Sequence, residues 1–134
     1  MKAKSRNQIE TKTQAVCCAK IDLKQRPLLS VDQANGLAGV FKVLANDTRL
    51  RLLHALVRDE EVCVSDLAAS LEMKPQAVSN QLARLSDLGI VSSRRDGNSI
   101  HYRLVDLCVR SLLDQGLCLL EEVRNKQQPP ARRQ

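Results

Sequence analysis

The sequence predicts a small, mostly α-helical protein of the winged helix-turn-helix class, built from four helices, a β-hairpin and a fifth helix. Three features predict this fold. Residues 74–89 have an apolar stripe at helical spacing and a polar opposite side. A shorter helical pattern before this segment gives helix-turn-helix spacing. Two alternating segments after it flank Asp96-Gly97-Asn98, a turn sequence that is typical of a hairpin.

Length and composition indicate one domain with a modest core. The chain has 134 residues, with Phe41 and Tyr102 as its only aromatics, so the core must consist of Leu, Val, Ala and Ile. Small helical proteins with so little aromatic bulk often complete their core by forming a homodimer. No apolar run is long enough to cross a bilayer, and the charged N-terminus does not resemble a signal peptide. We therefore expect a cytoplasmic protein with no membrane partner.

The net charge of +6 invites a nucleic-acid partner, but the positive charge lies in the termini. Residues 1–30 carry +5 and residues 124–134 carry +4, which leaves −3 for residues 31–123. The basic termini could contact phosphates or simply remain solvated. DNA binding by the folded part therefore depends on local basic residues, for which the candidates are Lys74, Arg84, Arg94, Arg95 and Arg103.

The pattern divides the chain into three parts. Residues 1–29 mix charged and polar side chains with little period and form a mobile arm that carries adjacent Cys17 and Cys18. Residues 30–124 form the winged-helix and dimerisation domain. Residues 125–134 are polar and rich in proline, so we expect a disordered tail.

Capping residues mark the starts of the first three helices. Ser30 and Gln33 form a capping box for the first helix, and Asn46 can cap the second. Residues 62–64 form a short extended link, after which Ser65 is a plausible cap for the third helix. This third helix is short and leads through a turn into the amphipathic segment described above.

The fourth helix has the features of a recognition helix. Pro75 suits its first position and Gly89 suits its end. Gln76, Ser79 and Asn80 project from its polar side, where they offer hydrogen-bond donors and acceptors to base edges in the major groove. Its apolar stripe consists of Val78, Leu82, Leu85 and Leu88. Taken alone, the segment also fits an ordinary amphipathic surface helix.

The hairpin that follows the fourth helix is placed to act as a wing. Arg94, Arg95 and Arg103 lie on it, where they can contact the DNA backbone or the minor groove. Asp106 then caps a last helix, whose apolar stripe is broad enough for a dimer interface. The predicted partners are therefore double-stranded operator DNA and a second copy of the chain.

Four segments, in this order, closely resemble the ArsR/SmtB family of metal-sensing winged-helix repressors, with a narrower similarity to actinobacterial members associated with mercury resistance. They cover about two-thirds of the chain and are Val40–Leu56, Glu61–Leu71, Ala77–Val91 and Arg94–Leu104. The resemblance implies a homodimer that binds a palindromic operator when metal-free and releases it when a metal or metalloid binds.

The sequence departs from the family pattern in two places. Asn46-Asp47 stands where many members have Asp-Pro, a change that the helix cap tolerates. Arsenic and cadmium sensors often carry two cysteines in the third-helix segment, whereas here Cys63 is followed by Ser65 in the second place. A metal site built from that segment alone would therefore lack a ligand.

Cysteines supply the candidate metal ligands. Five cysteines in a cytosolic chain favour thiol chemistry or metal binding over a disulfide framework. Cys63 could simply pack in a core, but Cys17 and Cys18 lie in a polar arm with no core to fill. Three thiolates suit As(III), Hg(II), Cd(II) or Pb(II), with Hg(II) and As(III) favoured. The resemblance implies that arm cysteines join the third-helix site, so we expect these three residues to form it.

Cys108 and Cys118 are a second, less favoured possibility. Ten helical residues separate them by roughly 15 Å, so only antiparallel pairing of two last helices could place them around one ion. The family has a zinc site in this helix, which Asp106-x-Cys108 and Cys118-x-x-Glu121 echo with sulfur in place of imidazole and a spacing one residue short. Interface packing is the alternative role for both cysteines.

The predicted function is a metal-responsive transcriptional repressor, not an enzyme. No phosphate loop, catalytic triad or paired carboxylates can be defended in the sequence. Three alternatives stay open: a thiol redox-sensing repressor of the same fold, a winged helix used for protein contact, and a thiol-dependent enzyme such as a metalloid reductase. The missing anion-binding loop counts against the enzyme.

Overall fold

A computed structural model describes residues 21–128 and confirms the predicted winged helix-turn-helix class. A short 3₁₀ helix at Leu23–Gln25 precedes the domain. The remaining elements, in chain order, are α1 (Val31–Leu44), α2 (Asp47–Asp59), β1 (Glu61–Cys63), α3 (Val64–Leu71), α4 (Pro75–Asp87), β2 (Val91–Asp96), β3 (Ser99–Leu104) and α5 (Leu107–Gln127).

The core forms where α2, α3 and α4 pack on one another and on the sheet. Its fully enclosed members are the side chains of Leu52, Leu53, Leu56, Leu67, Val78, Leu82 and Leu85. They recur at helical spacing, so each helix turns one apolar face inward. The predicted stripe of α4 is confirmed for three of its residues, whereas Leu88 is 49% exposed because α4 ends at Asp87.

The sheet has three antiparallel strands in the order β1-β3-β2. The predicted hairpin is β2 and β3, and the extended link before the third helix is a strand as well. Cys63 pairs with His101 on β3, and His101 pairs with Arg94 on β2. Directly paired residues project from the same face of a sheet, so these three side chains share one face. Gly97, at φ +64°, makes the hairpin turn.

Side-chain caps begin α1 and α2 as predicted. The Ser30 hydroxyl accepts from the backbone N–H of Gln33 at 3.1 Å, and the Gln33 side chain accepts from the Ser30 N–H at 3.0 Å. The Asn46 side chain accepts from the N–H of Arg49 at 3.0 Å. The predicted cap of the third helix is different, because α3 begins at Val64 and Ser65 lies inside it. Cys63 occupies the capping position, and its side chain does not cap a backbone N–H of the helix.

Helices α1 and α5 lie outside this core. Every residue of α1 before Val43 is exposed, and only Val109 of α5 is buried. Helix α5 continues to Gln127, three residues beyond the predicted end of the domain at 124, because Arg124 and Lys126 suit the C-terminal end of the helix dipole. None of the helices in residues 21–128 is long and apolar enough to span a membrane.

Candidate DNA-binding surface and thiol site

Helix α4 presents a polar face at its N-terminal end. Gln76 and Asn80 are exposed, and Ser79 is half-buried beside them. The Gln76 side-chain amide donates to the Asn80 side-chain oxygen at 3.1 Å. This bond leaves the Gln76 oxygen and the Asn80 amide group for a partner, so the two side chains together offer a hydrogen-bond acceptor and a donor.

A single side chain of α2, Arg49, contacts both α1 and α4. Its Nε donates to the Gln81 side-chain oxygen at 2.7 Å, and its Nη1 donates to the Val43 carbonyl at 2.9 Å. Arg49 therefore joins the end of α1, the start of α2 and the middle of α4. Sequence spacing could not reveal this contact, because Gln81 lies 32 positions further along the chain.

Arg94 on the wing is held by Glu61 on the opposite edge of the sheet. Its Nε lies 3.1 Å from each carboxylate oxygen of Glu61, and its Nη2 lies 2.7 Å from Oε1. Its Nη1 lies 3.8 Å from Asp96. The hydrogen bonds from Arg94 hold the pKa of Glu61 below its usual value, and those to Glu61 raise the pKa of Arg94.

The other predicted basic contacts are exposed and differ in position. Lys74 lies at the start of α4 and Arg84 in its last turns, and Arg95 lies near the wing tip. Within residues 21–128 none of them has an ion pair. Arg103 lies at the base of the wing, where it lines a cavity of about 520 Å³ with Arg110. Arg103 therefore lies on the predicted wing, but at the opposite end from its tip.

Cys63 lies where β1 passes into α3. Its thiol is half-buried, and its sulfur lies 3.2 Å from the Ser65 hydroxyl oxygen. It lines a cleft of about 300 Å³ between the start of α4, at Gln76 and Ser79, and the wing tip, at Asn98. The thiol is therefore adjacent to both elements that would contact DNA. It also lines a second cavity, of about 340 Å³, together with His101 and Asp66.

The structure describes Cys63 but neither of the two arm cysteines that were predicted to join it. Cys17 and Cys18 lie outside the described residues, and within residues 21–128 no group of three metal-ligating side chains is close enough to hold an ion. A thiophilic ion at Cys63 would therefore need further ligands from outside residues 21–128 or from a second copy of the chain. One soft, accessible thiol beside a cleft fits that requirement as a partial site.

The second predicted site is dispersed along α5. Cys118 is an exposed free thiol, whereas Cys108 is not free. The Asp106 carboxylate caps the helix by accepting from the N–H of Cys108 at 2.9 Å and from that of Val109 at 3.4 Å. Glu121 is exposed near the far end of α5.

Comparisons with known proteins identify the family. Residues 46–93 match the model of the bacterial regulatory proteins of the arsR family. The cadmium resistance transcriptional regulatory protein CadC of Listeria innocua is 32% identical over 104 residues, which span 78% of this chain and 87% of that protein.

Solved structures agree with the sequence comparison. The AntR antimony-specific transcriptional repressor is 56% identical, with a TM-score of 0.70 and coverage of 81% of this chain and 98% of that one. A homodimeric winged helix-turn-helix domain from Mycobacterium bovis is 28% identical, with a TM-score of 0.62. The match covers 79% of this chain and 100% of that one. This chain belongs to the ArsR/SmtB family of metal-responsive winged-helix transcriptional repressors and is not an enzyme.

Proposed function

We propose that this chain is a homodimeric operator-binding repressor that releases DNA when a thiophilic ion binds Cys63 together with Cys17 and Cys18. The position of Cys63 carries the proposal, because its thiol lines the cleft between the recognition helix and the wing. Ligation at that point can change the relative position of the two elements that contact DNA. Allosteric coupling of this kind typically changes affinity by about 5- to 150-fold.

Trivalent antimony joins arsenic as the preferred class of ion. The sequence favoured Hg(II) or As(III), with Cd(II) and Pb(II) as alternatives, because three thiolates suit soft ions. The neighbour with 56% identity is described as antimony-specific, and CadC is a cadmium resistance regulator. When bound, such an ion supplies strong bonds to thiolate sulfur, and the thiols release protons on binding it.

A second copy of the chain is the proposed occupant of the apolar face formed by α1 and α5. Phe41, Leu112, Leu117 and Leu120 line a groove of about 550 Å³ on this face, and they are 40–50% exposed. The solved domain from Mycobacterium bovis is described as homodimeric. A symmetric dimer would present two α4 helices about 34 Å apart, which is one repeat of DNA.

The proposed DNA contacts divide by chemistry. Gln76, Ser79 and Asn80 read base edges from the N-terminal half of α4. Lys74, Arg84 and Arg95 anchor phosphates, and Arg103 is an additional phosphate contact near the base of the wing. These residues are exposed or half-buried and have no ion-pair partner within residues 21–128. Phosphate contacts position the protein, whereas base contacts specify the sequence.

Anisotropy of labelled upstream DNA tests the function directly. Reduced protein is titrated onto the DNA, first without metal and then with Sb(III), As(III), Hg(II), Cd(II), Pb(II) or Zn(II). We expect one or more soft ions to weaken binding about 5- to 150-fold. The same titration with Cys63→Ser should keep metal-free binding and lose the response. Full reduction also separates metal sensing from redox sensing, because a redox switch would not respond to metal.

The second site is tested in parallel with Cys118→Ser, which removes the exposed thiol of α5. If this variant loses the response and Cys63→Ser retains it, the sensing site lies on α5 and our assignment is wrong. If the wild-type protein holds its operator equally well with every ion, the proposed function is wrong. Absence of DNA binding would instead favour a winged helix used for protein contact.

A further inference from the structure

Glu61 and Cys63 lie two residues apart on β1 and therefore project from the same face of the sheet. The strand has only three residues, and its ladder to β3 consists of the pairs Glu61 with Arg103, Val62 with Tyr102 and Cys63 with His101. The wing strands β2 and β3 are joined by six pairs and so form a unit of their own. Within residues 21–128, the side-chain hydrogen bonds and the ion pair that join β1 to β2 all come from one side chain of β1.

That side chain is Glu61, which reaches across β3 to Arg94 on β2. The guanidinium makes three hydrogen bonds to the Glu61 carboxylate, at 2.7 to 3.1 Å, over a sequence separation of 33 residues. The bidentate fork fixes the orientation of both side chains. Both carboxylates near Arg94, from Glu61 and Asp96, would also repel a DNA phosphate.

The ion pair between Glu61 and Arg94 is too exposed to contribute much to the free energy of unfolding. Its side chains are 55% exposed for Arg94 and 33% exposed for Glu61, and ion pairs in such positions add little to the free energy of unfolding. The backbone supports a positional role instead. Glu60, which precedes the pair, has φ +66° and ψ −61°, a costly conformation for a residue with a side chain. This turn fixes how α2 leads into β1.

We propose that Glu61 and Arg94 form a strap that ties the wing to the strand bearing Cys63, so that Arg94 is a positioning residue and not a phosphate ligand. The inference rests on the proposed function and adds the route by which ligation at Cys63 reaches the DNA. A shift of β1 is passed through Glu61 to the wing, which borders the cleft that Cys63 shares with α4. The wing then moves relative to α4, so the two elements can no longer contact the operator at the same time.

The experiment measures three quantities for each variant: operator affinity as a function of salt, the ratio of metal-free to metal-bound affinity, and hydrogen exchange of the wing amides. The variants are Glu61→Gln, Arg94→Gln, the two combined, and the exchanged pair Glu61→Arg with Arg94→Glu. The combined and exchanged variants keep the wild-type net charge, so they separate the pair from the overall electrostatics. Arg95→Gln is the matched control, because Arg95 is the neighbouring wing arginine and has no ion pair among residues 21–128.

We expect each single variant to reduce the metal response by about 2- to 30-fold and to speed exchange of the wing amides. The combined variant should do no more than either single one, and the exchanged pair should restore part of the response. Each phosphate contact contributes about 0.9 to the slope of log affinity against log salt. Arg94→Gln should therefore leave the slope nearly unchanged. Arg95→Gln should lower the slope by about two contacts, one from each copy of the proposed dimer.

Two results would overturn the strap. The first is a slope that falls by about two contacts for Arg94→Gln, one from each copy of the proposed dimer, with an unchanged metal response, which would make Arg94 a phosphate ligand. The second is an unchanged metal response and unchanged wing exchange in all four variants. A wild-type protein that ignores every ion would defeat the proposed function separately, and wing exchange would still decide whether the pair holds the wing.

Discussion

The helix-turn-helix core and the layer formed by α1 and α5 are built from the same residue types, but only the core is closed within one chain. Leu52 and Leu82 are fully buried, whereas Phe41 is 45% exposed and Leu117 is 50% exposed. One chain therefore places α4 by itself. In the proposed dimer, the spacing between the two α4 helices depends on what covers the layer formed by α1 and α5.

The largest expected effect follows from removing a side chain of the helix-turn-helix core. Leu52→Ala removes a fully buried side chain and leaves a cavity, so we expect the free energy of unfolding to fall by about 2–5 kcal/mol. Urea denaturation at one fixed protein concentration measures the change. Leu119→Ala is the matched control, because Leu119 is 64% exposed, and it should change stability by less than about 0.5 kcal/mol. If Leu52→Ala and Leu119→Ala lowered the free energy of unfolding equally, the difference in burial between the core and the layer formed by α1 and α5 would not matter for stability.

A charged side chain in the layer formed by α1 and α5 should disrupt the proposed dimer and leave the helix-turn-helix core folded. Leu117→Glu places a carboxylate in the groove between α1 and α5, once per copy of a symmetric interface. We expect dimerisation to weaken by about a hundredfold, or roughly 2.7 kcal/mol, with operator affinity falling in parallel. Sedimentation and anisotropy follow the two effects.

Leu119→Glu serves as the matched charge control for that experiment, because Leu119 lies on α5 but does not line the groove. It should keep the dimer. A Leu117→Glu protein that sediments as a dimer and binds its operator normally would mean that another surface joins the two copies.

Arg49 connects the two regions and should give an intermediate effect. Arg49→Lys keeps the charge but loses the rigid fork that reaches both Gln81 and the Val43 carbonyl. We expect a loss of about 1–2 kcal/mol in the free energy of unfolding, since partly buried acceptors lose their donors. Arg58→Lys, at an exposed position in the last turn of α2, should change little. A similar loss in both variants would show that charge, and not geometry, matters at Arg49.

The fold could be predicted because its signals are local. Helical spacing, capping residues such as Ser30 and Asn46, and the turn at Gly97 each act within a few positions, and the structure bears them out. Strand β1 was predicted only as an extended link, because three residues carry too little pattern to indicate which strand they pair with.

The site was less predictable because its contacts are distant in sequence. The partners of Arg49 and Arg94 depend on tertiary packing and strand register, which no spacing rule supplies. Had residues 61–63 been assigned as a strand, their alternation would have placed Glu61 and Cys63 on one face. The roles of Cys17 and Cys18 stay predictions, since both lie outside the described residues.

The smallest expected effect concerns the cap of α1, at the edge of the layer formed by α1 and α5. Ser30→Ala removes the acceptor for the Gln33 N–H and disrupts the capping box. Capping serines contribute about 0.5–2 kcal/mol, and we expect the low end here because the first turns of α1 are exposed in a single chain. Far-UV circular dichroism and hydrogen exchange at Gln33 measure the loss.

The loss of α1 helicity in Ser30→Ala also tests whether a second copy of the chain covers α1. If a second copy covers α1, the helix is held by packing as well as by its cap, so Ser30→Ala should affect a Leu117→Glu monomer more than the dimer. Ser111→Ala, at an exposed position within α5, is the control and should be neutral. An equal loss of α1 helicity in monomer and dimer would mean that the partner does not reach α1, and that α5 alone forms the shared surface.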